Sequence, residues 1–215
     1  MTALTISRVH FPVTTLGPGR RIGIWFQGCS IRCPGCISAD TWSARPPNAT
    51  VSQVLSLCDG YGDDVEGVTV SGGEPFEQLD ALEELLVGLR DSLNPSIDIL
   101  VFSGKPSLEV LAICERWPGL IDALISEPYL ADAPQTKPLL GSDNQKLHLL
   151  TPLGEQLYKG YHRKRCTDDD RVDIAFDPAG TVWMAGIPRR GTLEQLKALL
   201  SAQGTTIYTS EQILR

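Results

Sequence analysis

Cys29, Cys33 and Cys36 stand in the string GCSIRCPGCI, a C-x3-C-x2-C spacing directly after the apolar run IGIWFQG. Soft thiolates this close together on a turn ligate iron or zinc, whereas thiols buried only for packing have no need of such spacing. Gly28 and Gly35 relieve crowding in the turn, and Pro34 restricts it. Cys58, Cys114 and Cys166 are isolated, and the first two fall in helical patterns where a thiol reads as packing. Six cysteines would suffice for three disulfides, but their uneven distribution points to a metal site. Structural zinc requires a fourth protein ligand, and only His148 and His162, both distant, are candidates. A four-iron cluster held by three cysteines instead leaves one iron open.

A second string, VSGGEPF, carries Gly72, Gly73, Glu74 and Pro75 between a strand-like run and a long helical pattern. Alone, GGEP is an ordinary turn. Paired with the cysteine spacing, it resembles the radical S-adenosylmethionine superfamily. The resemblance implies that Cys29, Cys33 and Cys36 hold a [4Fe–4S] cluster whose open iron is chelated by the methionine moiety of S-adenosylmethionine. It also implies that Glu74 is the electrostatic partner of the cofactor's amino group, with Gly72, Gly73 and Pro75 shaping the approach. Ser71 and Ser103 either reach the same cofactor or bond to loop backbone.

Residues 17–42, GPGRRIGIWFQGCSIRCPGCISADTW, are more closely similar to the activating proteins of anaerobic ribonucleotide reductase and related small radical activases. Gly35 departs from the aromatic residue common before the third cysteine in the wider superfamily and agrees with the activases. LVFSG at 100–104 and GSDNQKLHLL at 141–150 extend the likeness. It implies an electron donor such as flavodoxin or ferredoxin, reductive cleavage of S-adenosylmethionine, and a 5′-deoxyadenosyl radical. The leading substrate is then a backbone glycine of a partner enzyme. The alternative is hydrogen abstraction from a small metabolite or a peptide. An iron–sulfur electron-transfer or structural protein remains a third class, although it gives Glu74 no role. No catalytic residue is assigned beyond the cluster and cofactor site.

The elements that must position these residues alternate. Strands are expected at 21–26, 66–71, 98–103, 120–126 and 145–150, several of them continuously apolar as in sheets covered on both faces. Helices are expected from a capping box at Thr50 and Gln53, from the leucine pattern of DALEELLVGLRDSL, from SLEVLAICERW, and from Thr151-Pro152 onward. RVDIAFDPAGTVWMAG reads as a hairpin turning at DPAG, and Thr192 with Gln195 as a second capping box before a leucine-faced helix stopped by Gly204. The expected fold is α/β: by resemblance, a partial β/α barrel of the radical S-adenosylmethionine type with a C-terminal hairpin and helix extension. One domain is expected over 1–215, with a family-like core to about 150 and an extension over 151–215.

Several other side chains have competing readings. Gly17 to Arg21 either shape a substrate loop or place an exposed arginine at a strand entrance. Lys146 and His148 share one face of an alternating strand. Trp25, Trp42 and Trp183 either shield a substrate or stabilise core, and Asp177 fits an Asx turn.

A net charge of −7 and a pI near 5.0 argue against a broad nucleic-acid surface, and HRKR at 162–165 is offset at once by DDD at 168–170. The first residues lack a basic head followed by an apolar run, and no later segment is apolar enough to span a bilayer. A cytoplasmic protein without a membrane partner is expected.

Overall fold

The computed structural model describes residues 2–176 and 182–204. In chain order the elements are β1 (Ala3–Leu4), β2 (Ile6–Val13), β3 (Arg21–Phe26), β4 (Ala49–Thr50), α1 (Val51–Asp59), β5 (Gly67–Gly72), α2 (Leu79–Ser92) and β6 (Asp98–Phe102). They continue with α3 (Ser107–Cys114), β7 (Ala123–Ser126), β8 (Lys146–Leu149), α4 (Pro152–Tyr158), β9 (Val172–Phe176), β10 (Val182–Gly186) and α5 (Thr192–Ala202).

The main sheet has the order β2-β3-β5-β6-β7-β8. Its four central strands are parallel, and β2 and β8 pair antiparallel at its two edges. The result is a mixed, open sheet with flanking helices and a C-terminal hairpin of β9 and β10. The five strands expected from apolar runs all form, with ends shifted by three residues or fewer. β2 was not expected: ISRVHFPV mixes charges and a proline into its pattern, which an edge strand tolerates because one side of its backbone needs no ladder partner.

Alternation along the strands divides the core in two. Ile22, Ile24, Phe26, Val68, Val70, Ile99 and Val101 face α1, α2 and α3, where Val54, Cys58, Leu82, Leu85, Leu89 and Val110 complete the larger cluster. Cys58 is thus core. The opposite face presents Trp25, Leu100, Ala123 and Ile125, and the chain beyond β7 covers it: Leu139, Leu140 and Tyr158 pack on one part, Trp183, Ala185 and Ile187 on another.

Local signals account for most helix ends. Thr50 accepts from the Gln53 N–H while Gln53 accepts from the Thr50 N–H, the reciprocal box expected. Thr151 caps α4 through the Gly154 N–H, with Pro152 in the first turn. The box expected at Thr192 does not form. Gly191, at φ 84°, is the N-cap instead, and its carbonyl accepts the Gln195 N–H, so the helix already begins at Thr192. The leucine face of α5 is also less covered than expected: Leu193, Leu196 and Leu200 are half-buried and Leu199 is exposed. The DPAG turn with Asp177, and the strand-like tail beyond Gly204, lie outside the described residues. Among the described residues no helix is long and apolar enough to cross a membrane.

Arg21 corrects a sequence expectation. It is wholly buried rather than exposed at a strand entrance. Arg21, Gly67 and Asp98 occupy one register row across β3, β5 and β6. The guanidinium spans the row: it meets Asp98 through two hydrogen bonds of 2.8 and 2.7 Å, and donates to Thr69 Oγ1 and the Val68 carbonyl. Gly67 leaves the space, since a Cβ there would stand 2.1 Å from Arg21 Nη1. The Tyr158 hydroxyl also donates to Asp98, tying α4 to the same ion pair. Removing one partner would strand a buried charge, so Asp98→Ala is expected to lose about 3–5 kcal/mol of stability. A urea unfolding midpoint no lower than wild type would refute this.

Candidate metal and cofactor site

Parallel strands collect their following loops at one end of the sheet, where open α/β sheets bind ligands. The cysteine loop follows β3, Gly73 to Pro75 follow β5, Ser103 and Gly104 follow β6, and Glu127 to Tyr129 follow β7. Lys146 opens the antiparallel β8 opposite Ser126 and so lies at the same end.

Cys29, Cys33 and Cys36 carry free, partly exposed thiols. The loop is closed at its base by backbone bonds from Gly28 N–H to the Thr41 carbonyl at 2.8 Å and from Cys29 N–H to the Trp42 carbonyl at 3.2 Å. Inside it, the Cys36 N–H donates to the Cys33 carbonyl at 3.1 Å, and both Arg32 and Gly35 have positive φ, 49° and 75°. Gly35 adopts this turn freely, whereas Arg32 pays strain to reverse the chain between the first two cysteines.

Glu77 and Trp42, neither of them assigned from sequence, hold the loop from two sides. The Ser30 N–H donates to Glu77 Oε1 at 3.0 Å, and the side chain of Trp42 lies by the Cys36 thiol, where it favours the thiolate. A glutamate three residues after Glu74 could be read as surface helix, so only the loop's return to it shows the contact.

Burial is the main cause that pushes all three thiols above their ordinary pKa, and the charge of Glu74 pushes Cys29 and Cys33 the same way. The thiols are therefore protonated at neutral pH, and binding a metal centre must release protons. Among the described residues no group of three or more His, Cys, Asp and Glu side chains is placed to hold a single metal ion. A cluster makes a different demand, because each cysteine ligates a separate iron of a body several ångströms across. Three free, partly exposed thiols on one loop fit that donor set.

The GGEP string is locked to the same loop. Gly73 N–H donates to the Phe26 carbonyl and Glu74 N–H to the Gly28 carbonyl, both at 2.8 Å, continuing the β3–β5 pairing past the strands' ends. The glycines make this possible: a Cβ at Gly73 would stand 2.1 Å from the Gly28 oxygen, and Gly72, at φ 102°, would place one 2.5 Å from the Phe26 oxygen. Pro75 is buried and begins the short turn Pro75–Glu77.

Glu74 is only 1% exposed. Its carboxylate accepts from the Phe76 N–H at 3.1 Å, the Ser103 hydroxyl at 2.8 Å and the Gly104 N–H at 2.7 Å. Burial raises its pKa against these three donors, with the nearby charge of Glu77 adding to the rise. The folded chain thus holds this proton to higher pH than an unfolded one, and ionised Glu74 costs stability that returns as pH falls. Ser103 also accepts from the Lys105 N–H at 3.1 Å, so the loop-bonding reading of this serine holds. Ser71 is half-buried at the end of β5, in register with Trp25.

Lys146 and His148 do share a face but serve a polar chain at the β7–β8 edge. His148 Nε2 pairs with Ser126 Oγ at 2.8 Å, Ser126 with Ser107 Oγ at 2.9 Å, and Glu127 accepts from Ser107 and from Lys146. Trp25 and Trp183 meet edge-on at 5.7 Å, with His10 against Trp183 and the Arg8 guanidinium over both indoles. Arg8 also pairs with Asp40, just beyond the cysteine loop.

Residues 15–148 match the family described as the 4Fe-4S single cluster domain, a stretch containing the three cysteines, the GGEP string, Ser71 and Ser103. The anaerobic ribonucleoside-triphosphate reductase-activating protein of Enterobacteria phage T4 is 30% identical over 138 residues, 61% of this chain and 85% of the phage protein. The chain belongs to the radical S-adenosylmethionine activase family. Two pyruvate formate-lyase-activating enzymes are also similar to this activase-family chain. That of Streptococcus mutans is 27% identical over 139 residues, 61% of this chain and 52% of its own length. That of Staphylococcus aureus is 36% identical over 85 residues, 37% of this chain and 34% of its own length. The chain thus matches only about half of the streptococcal enzyme and about a third of the staphylococcal one.

Two outcomes follow for this activase-family site. Gly73→Ala must displace the Gly28 carbonyl and is expected to cost about 1–3 kcal/mol, read by chemical denaturation; an unchanged midpoint would contradict the close approach. Burial pushes the Cys58 thiol up to about 12 and that of Cys114 to about 11. Cys58 and Cys114 are also closed off from solvent, whereas Cys29, Cys33 and Cys36 are partly exposed and Cys166 is exposed, so brief alkylation of the metal-free protein at pH 8 is expected to label these four and spare Cys58 and Cys114, as mapped by mass spectrometry.

Proposed function

We propose that the protein is a radical S-adenosylmethionine enzyme in which Cys29, Cys33 and Cys36 hold a [4Fe–4S] cluster and the adjoining GGEP segment receives the cofactor. One observation carries this reading: backbone hydrogen bonds join the cysteine loop to Gly73 and Glu74, side by side at the sheet's ligand-binding end. The open sheet is read as a partial β/α barrel, in a single domain of core and extension. A cytoplasmic setting and a flavodoxin- or ferredoxin-type electron donor complete the proposal.

When bound, the cluster would supply the one electron for reductive cleavage of S-adenosylmethionine to methionine and a 5′-deoxyadenosyl radical, the species that would take a hydrogen atom from the substrate. The chain's own residues determine where this happens. Gly72 and Gly73 bring their backbone against Phe26 and Gly28 at the base of the cysteine loop, where no side chain fits. Glu74, a poorly hydrated negative charge when ionised, gains from a nearby ammonium group what burial costs it, which suits the cofactor's amino group. Ser103 and the Gly104 N–H orient that carboxylate, and Ser71 at the end of β5 is assigned to the cofactor with them.

The names of the relatives, which activate other enzymes, support a partner enzyme as the substrate; its hydrogen donor would be the backbone glycine that the family resemblance implies, leaving a stored glycyl radical. A second reading, hydrogen abstraction from a small metabolite or a peptide, draws on a different observation. Beyond residue 148, where the family match ends, the chain covers the sheet's second face and sets Trp183 against Trp25, so the extension walls the face on which a substrate would lie.

Anaerobically reconstituted protein is expected to bind iron and sulfide and to form 5′-deoxyadenosine from S-adenosylmethionine under reducing conditions. Cys33→Ser should abolish that product, whereas Glu74→Gln should keep the cluster and weaken cofactor binding roughly tenfold or more. A persistent failure of cluster-loaded wild type to form the product would count against the enzyme reading. Partner-dependent glycyl radical signals by electron paramagnetic resonance separate activation from the second reading, which predicts a mass-changed product and no stored radical.

A further inference from the structure

The segment after β10 crosses the molecule and seizes the loop between β7 and β8. Gln135 Nε2 donates to the Pro188 carbonyl at 3.1 Å, and the Arg165 N–H donates to the Thr136 carbonyl at 2.7 Å while its guanidinium meets the Ile187 carbonyl. Arg190 makes the last of these contacts. Its Nη2 donates to the Leu130 carbonyl at 3.2 Å, and its guanidinium lies 5.8 Å from the centroid of the Tyr129 ring.

The other side of this loop faces the cysteines. A Cβ at Gly35 would stand 3.5 Å from Tyr129 Cε1 and 3.7 Å from Ala131 Cβ, ordinary packing distances, so residues 129 and 131 lie directly on the turn between Cys33 and Cys36. The Tyr129 backbone N–H faces the Cys33 thiol closely enough to favour its thiolate. Within the loop, Leu130 N–H donates to Ser142 Oγ at 3.1 Å and Asn144 Nδ2 to the Pro128 carbonyl at 2.7 Å, while Glu127 holds a left-handed φ of 79°. A non-glycine residue in that conformation persists only where its surroundings over-determine it.

We propose that Arg190 is a positioning residue: it clamps Tyr129 and Leu130 against the cysteine loop, so that the C-terminal extension fixes the backbone donor facing Cys33. The cluster half of this inference rests on the reading that Cys29, Cys33 and Cys36 hold iron. Hydrogen bonds to ligand sulfurs are among the levers that set cluster potentials, and removing one disfavours the reduced, more negative form. The extension would thereby tune how readily the cluster accepts its electron, without touching it.

Arg190 is exposed, so Arg190→Ala and Arg190→Lys are expected to fold with unchanged melting temperature. In the metal-free proteins, backbone hydrogen exchange over residues 128–136 should quicken roughly three- to tenfold in Arg190→Ala, and less in Arg190→Lys, which keeps the cation near Tyr129. In the reconstituted proteins, a redox titration followed by electron paramagnetic resonance should give a more negative midpoint for Arg190→Ala, with Arg190→Lys intermediate. Unchanged exchange over 128–136 overturns the clamp. Faster exchange with an unchanged or more positive midpoint overturns its influence on the cluster. Wild type that takes up no iron overturns the cluster reading itself and the tuning with it, while the exchange measurement still decides the clamp.

Discussion

The close approach of two backbones organises the site. The parallel pairing of β3 with β5 runs on beyond the strands until Gly73 and Glu74 donate to Phe26 and Gly28. Nothing larger than glycine fits at position 73, because the Gly28 oxygen occupies the place of its side chain. This contact makes one surface of two strings that are separate in the chain. It also places Glu74 beneath that surface, where Ser103 and Gly104 from the next strand's loop complete its hydrogen bonding. Three successive parallel strands are thereby joined at their ligand-binding ends.

The opposite end of the same strands is joined by a charge. Arg21 and Asp98 begin β3 and β6, and the empty side-chain position at Gly67 between them lets the guanidinium cross β5. Burying an ion pair is a poor source of stability but a strict one of register, since a shift of one residue would leave both charges unpaired. Tyr158 extends the arrangement to α4, and so anchors the start of the extension to the core sheet. The sheet is thus pinned at one end by a buried salt bridge and at the other by backbone bonds, with the reacting groups at the second.

The extension has more than one point of attachment to the site. Trp183 stacks edge-on against Trp25 on the second face of the sheet, and Arg8 links both indoles to Asp40 just past the cysteine loop. Pro188 and Arg190 reach the loop after β7 from the other direction. The extension thus meets the cysteine loop's neighbours on two sides, Trp25 on β3 and the loop after β7.

By itself the sequence determined the family motifs and most of the scaffold. The cysteine spacing and GGEP name a chemistry, and the continuous apolar runs mark the central strands because a strand covered on both faces is hydrophobic at every position. Caps at Thr50 and Thr151 were legible because each bonds only within its own turn. Contacts between distant segments were not: β2 hides at an edge that tolerates charges and proline, Glu77 and Trp42 look like ordinary surface and core residues, and Arg21 looks exposed until Asp98 and Gly67 are brought beside it. Thr192 misled because a local pattern of cap and glutamine competed with a glycine one position earlier that could adopt the left-handed turn. Tertiary structure alone decided these, since each depends on which backbone lies across the sheet, a quantity that no local run of residues encodes.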